Sequence, residues 1–312
     1  MASGADLGAE PDAVALQEHR THLIRVGYRL TGSLADAEDA VQEAWLRLAR
    51  LSAADRAAIR DMRAWLTTVV SRLCLDRLRS AAAQRERYVG PWLPEPLVTT
   101  LDGPDDPLDA VVRDEGVRMV ALLVLEKLNP EQRVAFVLHD ALSLQFSEIA
   151  EVLGCSVVAA RQHASRARRA VAAAEPPAPV DLAEQRRVLD DFLAALATGD
   201  LAAVVGLLHP DAVVVGDGAG KERTARRPVR GAEKVARFVL GLLSRYGTSA
   251  VAASEFVLVN GEIGMVIPAR PGDAEHAPLA ARVSVFEIRE GRVAAIYDVV
   301  NPDKLTRLPR TG

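Results

Sequence analysis

Two proline-rich breaks divide this chain into three blocks, and no other feature constrains its folding as strongly. The first break covers residues 85–114, where prolines are mixed with glycine and acidic residues, and the second is EPPAPVD at 175–181. Because proline fits neither a helix interior nor a central strand, regular structure must stop at each break. The 312 residues are enough for two or three separate cores. We therefore predict domains at 14–84, 115–174 and 182–312, with 85–114 as a linker.

The first block has the apolar periodicity of amphipathic helices. The segment SLADAEDAVQEAWLRLAR opens on Ser33, a residue type that favours helix N-caps. Apolar residues repeat along one face of this helix, and three acidic or polar residues share another: Asp39, Gln42 and Glu43. The segment DMRAWLTTVVSRLCLDRLRS predicts a second amphipathic helix, whose outward side carries Arg72, Arg77 and Arg79.

The second block predicts a helix-turn-helix. Asn129 and Pro130 begin one helix, and a short helix follows in EIAEVLG, with Ser147 as its expected N-cap and Gly154 at its end. The next helix starts at Ser156, buries a series of alanines and displays Arg161, Gln162, Ser165, Arg166 and Arg169. Such a face binds phosphates and reads base edges, so it predicts DNA binding. An ordinary helical hairpin with a solvated basic face is the alternative.

The third block changes structural class. Residues 182–208 predict two helices separated at 198–200, and 231–246 predict another amphipathic helix. Val- and Ile-rich stretches at 212–216 and 251–300 predict strands, with hairpin turns at Asn260-Gly261 and Glu290-Gly291. Helices followed by an antiparallel sheet indicate a separate α+β domain.

Overall composition excludes several classes of protein. The formal net charge of −4 gives no global sign of nucleic-acid binding, so a DNA site must be a local basic patch. The two cysteines, Cys74 and Cys155, lie far apart in the sequence, which argues against a disulfide or a zinc site. The N-terminus lacks the pattern of a signal peptide, and no apolar run approaches the ~20 residues needed to span a bilayer. We expect a cytoplasmic protein with no cofactor, no metal and no membrane contact.

One segment of the linker contradicts its polar setting. The stretch WLPEPL at 92–97 carries Trp92, Leu93 and Leu97 on a backbone stiffened by Pro91, Pro94 and Pro96. Connectors are usually polar because their backbone remains hydrated. Each of the three apolar side chains could contribute ~1.5–3 kcal/mol on full burial. The segment is therefore predicted to dock on another part of the same chain.

These motifs resemble a known family. Four of them carry the resemblance: YRLTGSLADAEDAVQEAW, RAWLTTVVSRLCLDRLRS, LNPEQRVAFVLHD and FSEIAEVLGCSVVAARQHASRARR. Residues 17–84 look like region 2 of an extracytoplasmic-function RNA polymerase sigma factor, and 115–172 look like its region 4. The implied fold is two all-α sigma domains, a region 2 helical bundle and a region 4 helix-turn-helix, followed by the α+β domain.

The resemblance implies a function and residue roles. The chain would bind core RNA polymerase, including the β′ clamp helices and the β flap, and direct it to promoter DNA. Contacts with the clamp helices are implied for Asp39, Gln42 and Glu43. Recognition of the −10 element is implied for Arg72, Arg77 and Arg79, and of the −35 element for Arg161, Gln162, Ser165, Arg166 and Arg169. In this family the linker between regions 2 and 4 passes through the polymerase near its active centre.

The third domain resembles the SnoaL-like cone of polyketide cyclases and steroid isomerases, which some sigma factors carry, including those of the SigJ type. These share three signatures, present here as WLPEPL at 92–97, DGAGK at 217–221 and NPDKL at 301–305. In the middle one, Ala219 replaces a glycine. A regulatory contact between domains is thus implied for Trp92, Leu93, Pro94, Leu97, Asp217, Gly218, Gly220, Lys221, Asn301, Pro302, Asp303, Lys304 and Leu305.

Other functions of the third domain remain open at this point. Carboxylate, His and Tyr groups that could act in a cone-shaped pocket are His209, Asp211, Asp217, Tyr297 and Asp298. Fold alone does not imply chemistry, and we expect no enzyme activity. A small-molecule ligand in this domain is a further partner to consider. The alternatives for the whole chain are a one-component, ligand-responsive helix-turn-helix regulator, or a cyclase- or isomerase-like enzyme fused to a DNA-binding module.

Overall fold

The computed structural model describes residues 9–85, 88–101, 111, 115–174 and 178–308. The chain forms two compact units. The first joins Met1–Ala83 to Val124–Glu175, and the second joins Gln84–Leu123 to Pro176–Gly312. Every described residue of the predicted linker therefore belongs to the same unit as the C-terminal domain.

The N-terminal part of the first unit is helical. It contains α1 (Ala9–Thr31), α2 (Leu34–Ala49), α3 (Ala53–Ala57) and α4 (Met62–Arg85). The hydroxyl of Ser33 accepts the Asp36 N–H at 3.2 Å and so caps α2. Helices α1 and α2 approach closely at Gly27, where an added Cβ would lie 2.8 Å from the Ala37 Cβ. This close approach allows apolar residues such as Tyr28 to be fully buried.

The helix-turn-helix follows in the same unit. It comprises α6 (Pro130–Phe136) with a π-helical extension at Val137–Ala141, α7 (Phe146–Leu153) and α8 (Val157–Ala173). It is preceded by α5 (Met119–Leu125), most of which belongs to the second unit. Gly154 ends α7 in the left-handed conformation, with φ of 66°. The expected cap at Ser147 is wrong. Helix α7 begins at Phe146, one position before Ser147. The centre of the Phe146 ring lies 4.0 Å from that of the His139 ring.

The second unit is built on a seven-stranded sheet in the order β1-β4-β5-β6-β7-β2-β3. The strands are β1 (Val98–Thr99), β2 (Leu208–Asp217), β3 (Val229–Arg230), β4 (Glu255–Val259), β5 (Glu262–Ile267), β6 (Arg282–Arg289) and β7 (Arg292–Val299). Strands β2 and β7 are parallel, and the other pairs are antiparallel. The helices are α9 (Leu182–Thr198), α10 (Leu201–Leu207), α11 (Ala232–Tyr246) and α12 (Ser249–Ala252).

The sheet is covered on both faces. Side chains of α9, α10 and α11 pack on one face around Phe192, Phe286 and Ile296. On the other face, Leu93 of the linker and Met119 of α5 pack against valines of β4 to β7. Seven of the eight residues of β6 and seven of the eight of β7 are consequently buried. The linker therefore completes this domain, because without it one apolar face of the sheet would be exposed to water.

The predicted hairpins are present. At Asn260-Gly261 and Glu290-Gly291 all four residues have positive φ, between 53° and 81°. This is the geometry of two-residue turns that match the twist of a β-ribbon. The fold class predicted from sequence, two all-α sigma domains and an α+β SnoaL-like domain, is confirmed. Over the described ranges, no helix is long and apolar enough to cross a bilayer.

Candidate functional site

The linker is anchored at the end of β2 by Asp217. This carboxylate is fully buried and accepts three hydrogen bonds: from the Tyr88 hydroxyl at 2.6 Å, the Leu93 N–H at 2.9 Å and the Lys304 ammonium at 2.7 Å. A buried carboxylate is stable only when such donors replace its lost hydration. Two of the three donors belong to the linker, so folding of this site requires the linker to be in place.

Lys304, in the NPDKL signature, holds the linker from the other side. Its ammonium also donates to the Leu93 carbonyl and lies 4.1 Å from the centre of the Trp92 ring, a cation–π contact. The side-chain amide of Asn301 donates to the Tyr88 hydroxyl at 3.1 Å. Burial and the Asp217 carboxylate raise the pKa of Tyr88, so the phenol stays protonated and remains a donor.

The second anchor is Asn260, at the tip of the β4–β5 hairpin. Its side-chain oxygen accepts the Leu97 N–H at 3.0 Å, and its own N–H donates to the Leu97 carbonyl at 2.9 Å. Its side-chain NH₂ donates to the Val117 carbonyl at 2.7 Å. One buried residue thus holds the linker at Leu97 and the segment that follows the linker at Val117. From the sequence, Asn260 is predicted only as a turn residue. An Asn-Gly pair does not indicate hydrogen bonds to residues as distant as Leu97 and Val117.

An ion pair forms the third anchor. The Arg118 guanidinium donates twice to one carboxylate oxygen of Glu262, at 2.7 and 2.9 Å. Both side chains are largely buried, with 12% and 10% exposed. Burial raises the pKa of Glu262, although Arg118 opposes that shift. Breaking such a pair from one side leaves an uncompensated buried charge, which costs several kcal/mol. Sequence reasoning did not identify this pair.

We call the contact formed by Tyr88, Trp92, Leu93 and Leu97 with Asp217, Asn260, Asn301 and Lys304 the linker dock. Leu93 and Leu97 are 0% and 1% exposed. Other predicted contact residues lie around it: Pro94 is buried, Leu305 packs on the same sheet face, and an added Cβ at Gly220 would lie 3.0 Å from Val89.

Four further predicted residues form no hydrogen bond with the described linker residues, 88–101 and 111. Lys221 and Asp303 form an exposed ion pair with each other at 2.5 Å. Gly218 lies in the loop after β2, where an added Cβ would come within 2.4 Å of the Glu222 carbonyl. Pro302 begins the 3-10 turn Pro302–Lys304. Lys221, Asp303, Gly218 and Pro302 therefore shape the loops that carry Asp217 and Lys304.

A cavity of about 120 Å³ lies between the other sheet face and α9 and α11. Its walls are mainly apolar, with Arg282, Ser284 and Asp298 as polar exceptions. Among the five groups considered for catalysis, only Asp298 lines it. That carboxylate accepts from Arg282 at 3.3 Å, Ser284 at 3.3 Å and Thr224 at 3.0 Å. Its oxygens are thus engaged in structural contacts.

The remaining catalytic candidates have structural roles. Tyr297 donates to Glu287 at 3.0 Å, and burial, followed by the Glu287 charge, raises its pKa. His209 accepts the Asp211 N–H at 3.2 Å through Nδ1 in a local turn. Asp217 belongs to the linker dock. Neither His209 nor Asp211 lines the cavity.

The DNA-binding candidates of α8 form one exposed face. Ala160, Ala164 and Ala167 are fully buried, which turns the opposite side of the helix to solvent. That side exposes Arg161, Gln162, Ser165, Arg166 and Arg169. Arg168 belongs to a different contact, an ion pair with Asp140 at 2.6 Å. An exposed cationic face of this kind is able to contact phosphates and base edges.

The arginines of α4 are engaged within the first unit. Arg72 donates to the Glu151 carbonyl at 2.9 Å, and Arg79 lies 3.0 Å from the Glu131 carboxylate. Arg77 pairs with Asp39 at 3.4 Å. Gln42 is exposed and Glu43 pairs with Arg47 at 3.0 Å. Any DNA contact by Arg72 or Arg79 therefore competes with these intramolecular partners.

A buried arginine joins α1 to the helix-turn-helix. Arg133 is 2% exposed and donates to the carbonyls of Leu30 at 3.0 Å and Leu125 at 2.9 Å. Its charge is paired with Glu126 at 2.5 Å. The carbonyl of Leu30 lies in the last turn of α1, where the helix dipole favours a cation. Sequence reasoning did not identify this residue, since LNPEQRVAF gives no sign that its arginine is buried.

Comparison with known proteins agrees with these features. Residues 15–84 match Sigma-70 region 2, residues 118–171 match Sigma-70, region 4, and residues 189–296 match the SnoaL-like domain. A one-component regulator would leave the first match unexplained. The chain is 52% identical over 295 residues to ECF RNA polymerase sigma factor SigJ of Mycobacterium tuberculosis H37Rv, over 93% of this chain and 92% of that protein.

Two further relatives extend the comparison. The chain is 34% identical over 312 residues to the probable ECF RNA polymerase sigma factor SigI of M. tuberculosis, with 96% of each chain covered. The crystal structure of M. tuberculosis SigJ superposes with a TM-score of 0.80 at 50% identity, over 94% of this chain and 98% of that one. The chain therefore belongs to the extracytoplasmic-function sigma factors that carry a C-terminal SnoaL-like domain, proteins that bind core RNA polymerase and direct promoter-specific transcription initiation.

Proposed function

We propose that the SnoaL-like domain regulates this sigma factor in cis by holding the linker between regions 2 and 4. The observation that carries the proposal is the buried Asp217 carboxylate, whose donors include Tyr88 and Leu93 of the linker. A covalently attached regulator needs no separate anti-sigma protein. Its local concentration is set by the tether, in the mM range for short connections.

Docking changes the linker from a flexible tether into a held segment. Residues 92–99 are bonded to the sheet or packed against it, and the segment directly after the linker is bonded to it at Val117 and Arg118. A linker that passes through the polymerase cannot keep all of these contacts. Docking and the polymerase-bound path of the linker therefore compete, and this competition is the proposed regulation.

The residue-level roles are proposals of the same kind. We assign the β′ clamp helices to Asp39, Gln42 and Glu43, and the β flap to region 4. We assign the −10 element to Arg72, Arg77 and Arg79, and the −35 element to Arg161, Gln162, Ser165, Arg166 and Arg169. Exposure of the α8 face supports the last assignment. Arg72 contacts Glu151, and Arg79 contacts Glu131. These contacts support a state of the protein without DNA in which the arginines proposed to bind the −10 element are bonded within the chain.

We further propose that the SnoaL-like domain has a regulatory and not a catalytic role. The support is the engagement of Asp298 by three donors and the apolar character of the remaining cavity wall.

Run-off transcription with core polymerase tests the in-cis regulation. Two variants should weaken the linker dock. Trp92→Ala removes the cation–π contact with Lys304, and truncation after residue 300 removes Lys304 itself. Transcript yield from a cognate promoter should change relative to the full chain in both proteins. Unchanged yield in both, at equal core polymerase binding, contradicts the proposal.

A further inference from the structure

The apolar cavity of the SnoaL-like domain adjoins a wider basic pocket, which we call the mouth. This mouth has a volume of about 580 Å³ and shares Phe238, Leu242, Tyr246, Arg282 and Asp298 with the cavity. The shared residues place the two spaces side by side. The site is therefore amphipathic, with an apolar interior of about 120 Å³ behind a polar entrance.

The entrance carries an excess of positive charge. Five cationic residues line it, against only the two carboxylates Glu222 and Asp298: Lys221, Arg223, Arg226, Arg245 and Arg282. Within the described part of the chain, no carboxylate lies within ion-pairing distance of Arg223, Arg226 or Arg245. These three side chains are exposed and able to turn toward a ligand. A mouth of this charge favours an anion over a neutral or cationic group.

Tyr246 marks the junction of the two spaces. The guanidinium carbons of Arg245 and Arg282 each lie 5.7 Å from the centre of its ring. The apolar walls begin directly behind it, at Phe238 and Leu242. A molecule that enters past Tyr246 would place its apolar part in the cavity and leave its charged group among the arginines.

We propose that the cavity and its basic mouth bind a small amphiphilic organic acid, with the apolar body in the cavity and the anionic group at the mouth arginines. A cavity of this size holds a body of about one ring or an equivalent short alkyl chain, as apolar cavities near 150 Å³ hold benzene. This inference rests on the proposed function, because the linker forms part of the site.

The linker contributes Val89 and Gly90 to the mouth. Val89 is 55% exposed and packs against Gly220 on the opposite wall. A ligand in the mouth contacts the linker only while the linker is docked, so the ligand binds the docked form more tightly. By thermodynamic linkage, binding of the acid must stabilise the docked linker, and release of the linker must weaken binding of the acid.

Calorimetric titration of the full chain with straight-chain carboxylates from hexanoate to dodecanoate tests the proposal. Saturable binding should appear for at least one member, and the matching neutral alcohol should bind at least tenfold more weakly. Acetate should not compete, since it lacks the apolar body. Absence of saturable binding by every member, or equal binding of acid and alcohol, overturns the proposal.

Variants separate the cavity from the mouth. Leu242→Trp fills the junction and should reduce affinity at least tenfold. Arg226→Gln, at an exposed position where folding is not at risk, should reduce it on the order of threefold. Arg227→Gln is its matched control, because Arg227 is exposed beside it but does not line the mouth. Equal effects of the two arginine variants contradict the assigned mouth.

Limited proteolysis gives a readout of the coupling that does not depend on transcription. The tightest-binding acid should slow cleavage within residues 88–101, and Asn260→Gly should weaken its binding. Binding without protection contradicts the coupling and leaves the site intact. If the acid binds and protects but no linker variant alters transcription, only the in-cis regulation fails.

Discussion

The carboxylate of Asp217 accepts the backbone N–H of Leu93 at 2.9 Å, although 124 residues separate the two in sequence. This bond joins the strand β2 of the SnoaL-like domain to the middle of the linker. The Lys304 ammonium donates hydrogen bonds both to the Leu93 carbonyl and to the Asp217 carboxylate. The linker is thereby held by charge-assisted hydrogen bonds, which are stronger than neutral ones, and not by apolar packing alone.

Replacing Asp217 should release the linker. Asp217→Asn keeps the size of the side chain but leaves the Lys304 ammonium, only 13% exposed, without its charge partner. We expect the free energy of unfolding of the second unit to fall by about 3–5 kcal/mol, as for other broken buried pairs. Urea titration measures this loss, and limited proteolysis should show faster cleavage at 88–101. Asp211→Asn, exposed on the same strand, is the control and should stay within ~0.5 kcal/mol.

The loop after β2 carries a removable strain. Ala219 has φ of +50°, a left-handed conformation that is unfavourable for any residue with a Cβ. Ala219→Gly should therefore raise the free energy of unfolding by about 0.5–1 kcal/mol, after the entropy cost of glycine is subtracted. Scanning calorimetry measures the change. Ala203→Gly, in the regular helix α10, should lower the free energy of unfolding. A lower free energy of unfolding in both variants would show that Ala219 carries no such strain.

Stability of the first unit should depend on pH through His22. Burial, then the charge of Arg63, lowers the pKa of His22 from 6.5 to about 4, with smaller effects from Arg25 and His19. The ring is neutral in the fold, where Nδ1 accepts from Arg63 and Nε2 bonds Thr67, each at 3.0 Å. Between pH 6.5 and 4 the unfolded chain binds the proton and the folded chain does not, so this contribution is lost as pH falls through that window.

Thermal unfolding at a series of pH values checks the role of His22. The decline in melting temperature from pH 7 to pH 4.5 should be shallower in His22→Gln than in the unchanged protein. Parallel curves for the two proteins would show that His22 does not titrate on unfolding.

The exposed face of α8 should contribute to promoter affinity. Arg166→Gln removes one candidate phosphate contact, so holoenzyme binding should weaken and its salt dependence should fall by about one unit of slope. Filter binding or fluorescence anisotropy at several salt concentrations measures both quantities. Arg187→Gln, exposed on α9 of the other unit, should change neither; an equal effect of the two variants would exclude a specific role for the α8 face.

Some of this structure could be predicted because it depends only on residues that are close together in the sequence. The caps at Ser33, Asn129 and Ser156, the C-cap at Gly154 and the two hairpin turns need only neighbouring residues. Burial of the α8 alanines follows from their spacing. The hydrophobic linker segment also predicts docking, because its apolar side chains would be unfavourable in contact with water.

Other features depend on partners that no local pattern specifies. Asn260 reads as a turn residue, yet it holds Leu97 and Val117, respectively 163 and 143 residues away. Arg133 is charged and would be expected at the surface, but three acceptors compensate its burial. The pairing of β1 with β4 comes from a linker stretch of two strand residues, too short for any periodicity.

Run-off transcription with Asn260→Gly measures whether release of the linker alters initiation. Glycine keeps the positive φ of the turn but removes the side-chain bonds to Leu97 of the linker and to Val117. The Leu97 N–H is left unpaired, at a cost of roughly 1–3 kcal/mol. Glu290→Gly changes the other hairpin, away from the linker, and is the matched control. We predict faster proteolysis of residues 88–101 and altered transcript yield in Asn260→Gly, with neither change in Glu290→Gly. A released linker with unaltered transcript yield would contradict regulation through the linker dock.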